Sequence, residues 1–150
     1  MSKKNSIKGT MDFIHQSTGT RIVFCYGAKA YAKYIKAQFG VDEKIEWCGN
    51  SIELTKVDEY AIVIGIRKYK DVYALKGLLI HELSHTVSQL MEYYNFKCDE
   101  FRSYTLQWLY QEIMPLLDAR LLKDAVKKED KAHKAHKAQK SKNKKNHTSN

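Results

Sequence analysis

The sequence predicts an α+β fold, with a short, mostly antiparallel sheet packed on helices in one domain. Three observations predict it. Segments rich in β-branched and aromatic residues fill the first half, interrupted by one amphipathic stretch. From Asp71 onward the apolar residues recur every three or four positions instead. Beyond Val126 alanine is the only apolar residue type left, so the packed body must end there. At 150 residues with 43% hydrophobic content, the chain can bury a core.

Taken in order, residues 1–10 are polar and read as a flexible N-terminus. Phe13 to Tyr26 predicts a hairpin about the turn Thr18-Gly19-Thr20, and Gly27 ends its second strand. Ala28 to Phe39 predicts an amphipathic helix with Tyr31, Tyr34, Ile35 and Phe39 on one face and Gly40 as its stop. Strands are expected at Lys44–Cys48, at Ser51–Val57 after a Gly49-Asn50 turn, and at Tyr60–Ile66. The last is β-branched and reads either as a strand at the sheet edge, where it could pair with an extended peptide, or as an ordinary core strand. Asp71 then caps a long helix reaching about Tyr94, with Val72, Leu75, Leu79, Leu83, Val87 and Leu90 on its apolar side and Asn95 as its stop. A further helix is expected from Asp99, its cap, through Leu106, Leu109, Ile113 and Leu117. Pro115 either kinks that helix or opens a new one. Residues 11–126 thus form the domain.

The formal charge of +9 is unevenly held. Residues 127–150 carry nine lysines against Glu129 and Asp130, whereas residues 1–126 carry seventeen basic against fifteen acidic residues. A nearly neutral body therefore precedes a basic segment, which the composition predicts to be disordered and able to bind nucleic acid or other polyanions without sequence preference. No run of eighteen apolar residues occurs, so no membrane span is expected. Basic residues near Met1 lead into no apolar stretch, which argues against a signal peptide. Cys25, Cys48 and Cys98 are widely spaced and form no CxxC pair, the pattern of reduced thiols in the cytoplasm.

The chemistry is concentrated at His81-Glu82-Leu83-Ser84-His85, an HExxH motif inside the long helix. Residues four apart lie above one another on a helix, so two imidazoles can grip one Zn²⁺ ion. Glu82, one step round the helix, is placed to serve as general base toward a metal-bound water. A third protein ligand is required. His15 is the only other histidine in the body, and Ser88 and Met91 stand where an HExxHxxGxxH extension needs glycine and histidine. Glu100 is the preferred candidate, because it shares a helical face with Tyr104, Gln107, Trp108 and Gln111; Asp99 is the other. Tyr104 follows one turn after Glu100, either as an oxyanion stabiliser or as a packing tyrosine. The bland alternative for the motif is two surface histidines on a core helix.

The segments IVIGI, LLIHELSHTVSQLMEYYNF and DEFRSYTLQWLYQEI, spanning Ile62–Ile113, resemble the gluzincin-type zincin pattern. They are similar in particular to small phage-encoded HExxH proteins with a Glu-x-x-Ala-Tyr segment, here Glu100-Phe101-Arg102-Ser103-Tyr104. The resemblance implies a small zincin-like domain with one zinc ion on His81, His85 and Glu100, and with Glu82 as base. It implies a metallopeptidase acting on a protein or peptide substrate. Other readings are a basic nucleic-acid-associated protein, or a phage factor that binds a host target on an inactive zincin scaffold.

Overall fold

The structure, a computed structural model, describes residues 8–42, 44–56, 59–68 and 70–146. Its elements run β1 (Thr10–Ile14), β2 (Arg21–Tyr26), α1 (Ala28–Phe39), β3 (Gly49–Lys56), β4 (Glu59–Ile66), α2 (Val72–Tyr93) and α3 (Asp99–Asn146). The α+β expectation holds at this level. The chain divides into two compact units at Gln111/Glu112, so the second consists of the distal part of α3 and the residues after it.

In the first unit the four strands form one mixed sheet in the order β1-β2-β4-β3. β1 with β2 and β3 with β4 pair antiparallel, while β2 and β4 lie parallel, Val23 opposite Val63. Strand β4 is therefore interior, and the edge beyond it is β3. The edge reading of Tyr60–Ile66 is overturned. Its nonpolar run Ala61–Val63–Ile64 is buried on both faces, as a strand with neighbours on both sides requires.

One face of the sheet carries α1. Tyr31, Tyr34 and Ile35 pack there with Val23, Cys25 and Val63, flanked by Trp47, Ile52 and Leu54. Strand alternation sends Ile62, Ile64 and Ile66 to the opposite face. On that side α2 lies against β3 and β4, and its Leu75, Leu79, Leu83, Val87 and Leu90 are fully buried or nearly so.

The helix ends are set locally. Asp71 accepts from the backbone N–H groups of Tyr73 and Ala74, capping α2 as its sequence position predicts. At the other end Asn95 turns left-handed (φ 54°), with Asn95 N–H donating to the Glu92 carbonyl and Phe96 N–H to that of Met91. These two bonds form a Schellman stop, with asparagine where glycine is commoner. Gly40 closes α1 in the same left-handed region.

Four local expectations fail. Residues 44–47 form no strand, and Gly49-Asn50 open β3 instead of turning, because Arg67 N–H already bonds the Cys48 carbonyl and extends the β3–β4 ladder. Thr10 belongs to β1 rather than to a flexible start, and residues 1–7 lie outside the described residues. Asp99 is the first residue of α3 and not its cap: Arg102 N–H bonds the Cys98 carbonyl. Beyond these four, Pro115 lies inside α3 rather than opening a new helix, and α3 runs as helix to Asn146 through the segment expected to be disordered in isolation. Lys, Ala, Glu and Gln are strong helix formers, so helix can propagate there. Nothing covers it, however: residues 127–137 are exposed on every side.

Candidate functional site

The HExxH segment lies in the middle of α2, where the buried leucines fix the rotation of the helix. Leu79 and Leu83 face the sheet, which turns His81, Ser84 and His85 toward solvent. His81 Nε2 and His85 Nε2 converge to 3.1 Å, with their rings nearly perpendicular at 86°. Without a metal, one ring donates to the other. Two imidazole nitrogens about 2.0–2.1 Å from a tetrahedral zinc would stand about 3.3–3.4 Å apart. The observed separation is close to that bite, so the pair fits a shared ion.

Glu82 points the other way round the helix and is only 5% exposed. Its carboxylate lies against the backbone of Gly49, at the start of edge strand β3. A Cβ on Gly49 would come within 2.6 Å of Glu82 Oε1 and 2.9 Å of its Cγ, so this contact requires glycine. Burial pushes the Glu82 carboxyl above its ordinary range, against an opposing pull from His81 and His85. Farther along, Ser51 Oγ lies 2.9 Å from Thr86 Oγ1 and 2.8 Å from Gln89 Oε1, and Gln89 Nε2 donates to the Ser51 carbonyl. The edge strand and the motif helix are thus tied together on the side where Glu82 sits.

The third ligand is not assembled. Among the described residues, no three His, Cys, Asp or Glu side chains form a group able to hold a metal. Asp99 and Glu100 are exposed in the first turn of α3, where their charges suit the helix dipole. Tyr104 is 69% exposed and lines a cleft of about 300 Å³ with His15, Gln16, Ser17, Phe101, Thr105 and Trp108. Neither motif histidine belongs to that lining. The structure therefore brings His81 and His85 together, places Glu82 on the β3 side of the same helix, and leaves Glu100 and Tyr104 out of the histidine pair.

His15 packs against the first turns of α3. It lies in the β1–β2 turn, with Nδ1 2.9 Å from Thr18 Oγ1 and the rings of Phe101 and Trp108 edge-on at 5.7 and 5.2 Å. Burial lowers its pKa, so it packs as a neutral ring. Tyr93 stacks on Tyr60 at 3.7 Å, and the Tyr94 hydroxyl lies 2.8 Å from Thr20 Oγ1. These aromatics pack the end of α2 against β4 and the β1–β2 turn. Cys25 is buried, its thiol pushed up to about 12 chiefly by burial, whereas Cys48 and Cys98 are exposed and free.

Gly49, Ser51 and Gln89 escape a reading of the sequence alone. Only strand parity, once the β3 start is known, puts Gly49 and Ser51 on the α2 face. No helix of the described residues is long and apolar enough to cross a membrane. No family model matches the chain, and no curated protein or solved structure matches it either.

Proposed function

We propose that this protein is a zinc-dependent metallopeptidase of the zincin type, with His81 and His85 as metal ligands and Glu82 as general base. The observation that carries this reading is the 3.1 Å convergence of the two Nε2 atoms, with Glu82 buried at the next position against β3. Zinc supplies an acidified water and polarises the scissile carbonyl. His81 and His85 would hold the ion through their converging Nε2 atoms. Glu82, whose proton affinity burial raises, would be the residue to take a proton from the attacking water and return it to the leaving amine. Glu100 remains the proposed third donor, with Asp99 as its rival.

A second reading has one observation in its favour. No third donor stands with the histidine pair among the described residues, which suits a zincin-like scaffold that binds a partner without catalysis.

Metal analysis and peptide hydrolysis by the full chain separate the two. The expected result is one zinc per chain, lost in His81→Ala and in His85→Ala. Glu82→Gln should keep the zinc and lose turnover of a mixed peptide library. Glu100→Gln, and not Asp99→Asn, should weaken zinc retention. A chain that takes up no zinc, or a Glu82→Gln variant hydrolysing peptides at the unaltered rate, refutes the enzyme.

A further inference from the structure

The distal part of α3 has no role in the proposed chemistry, yet it holds the strongest charge in the molecule. Residues 131–146 contain seven lysines and no acidic residue, and all lie in helix. The side chains described there, through Lys137, are exposed. Lysines three apart, such as Lys131, Lys134 and Lys137, repel one another along a bare helix. Helix and charge are compatible when a polyanion neutralises the lysines.

The spacing indicates which polyanion. A step of three residues turns an α-helix through about 300°, setting each lysine about 60° behind the one before. Lys128, Lys131, Lys134 and Lys137 therefore wind about halfway round the helix instead of lining one stripe. A flat anionic surface meets one side of a helix, and it would leave part of this array unused. A groove with phosphates on both walls meets all of it. A helix about 10–12 Å across fits the major groove of B-form DNA, about 12 Å wide, and not the deep, narrow one of A-form RNA. Lipid insertion is unfavourable, since alanines are the only apolar residues after Val126. Base stacking is excluded by the absence of aromatic residues in the segment.

We infer that the lysine-bearing part of α3, residues 127–146, is a docking helix for the major groove of duplex DNA, read through its phosphates without sequence preference. This does not depend on the zinc site.

The test measures binding of the full chain to a random-sequence DNA duplex about two turns long, between about 50 and 200 mM salt. Lys131→Gln/Lys134→Gln/Lys137→Gln should lower the slope of log affinity against log salt by about 3, at about 0.9 per phosphate contact, and weaken binding about tenfold or more. Lys29→Gln/Lys33→Gln/Lys97→Gln, an equal charge change at exposed lysines of the first unit, should leave the slope unaltered. Unaltered DNA binding by the first triple variant overturns the inference. So does equal binding of a duplex RNA of the same sequence, or equal loss in both triple variants.

Discussion

Between Val72 and Tyr93, α2 buries a row of leucines against a sheet; between Lys127 and Lys137, α3 buries nothing. Both stretches are helix, and both carry a pair of histidines, His81 with His85 and His133 with His136. Only the first pair is a candidate site, and the reason is packing. Leu79 and Leu83 on one side and Glu82 against Gly49 on another fix the rotation of α2, so its two imidazoles meet in one place. An uncovered helix is held by backbone propensity alone, which fixes none of its side chains relative to another element. Such a helix can present charge, but it cannot preorganise a metal.

The largest expected effect tests this contrast with one substitution made twice. Leu79 is fully buried, so Leu79→Ala should cost about 2–5 kcal/mol through lost transfer energy and a cavity. Leu122, in the second unit, is 67% exposed, and Leu122→Ala should change stability by within about 0.5 kcal/mol. Denaturant unfolding measures both. Equal costs would mean that α3 is packed at Leu122 as α2 is at Leu79, and that the comparison is wrong.

How much of this was legible beforehand follows the same division. Gly40, Asp71 and Asn95 mark helix ends because caps are local chemistry, readable from one or two residues. The histidine pair was legible too, since four residues along a helix is a fixed displacement. The start of β3 is hidden because Gly49-Asn50 has turn composition, and it is pairing with Gly65 and Ile66, continued by the Arg67–Cys48 bond, that holds it extended. The interior place of β4 depends on its parallel partner β2, some forty residues upstream, and no local pattern encodes that pairing. Glu100 illustrates the same limit. Its spacing from His85 is plain in the sequence, but the relative placement of two helices depends on contacts distant in sequence, and those of His15 with Phe101 and Trp108 are among the ones α3 makes.

Those His15 contacts define a smaller expected effect, one that depends on pH. Burial lowers the folded-state pKa of His15 from 6.5, so the folded protein binds fewer protons there than the unfolded chain. The packing of neutral His15 is therefore fully stabilising above about pH 6.5 and is lost as pH falls through the lower folded value. His15→Asn should be less stable than the parent at neutral pH, and the gap should narrow on acidification. Melting temperatures of the two proteins across that range show this directly. A constant gap would mean that His15 titrates alike in both states.

The smallest effect belongs to the uncovered helix and bears most directly on why it is helical. Ala135 is exposed, and Ala135→Gly should cost the local helix about 1 kcal/mol, the propensity difference alone. Because Ala135 touches no packed element, that cost should stay where it is made. Far-UV circular dichroism should show a loss of helix, while the cooperative melting of the sheet and α2 is unmoved. Glycine at Ala74, exposed near the start of α2, provides the counterpart: its cost is carried by a helix whose leucines are locked to the sheet, so it should appear in the melting temperature. If Ala135→Gly also lowers that melting temperature, the distal helix is coupled to the core, and packing rather than propensity holds both.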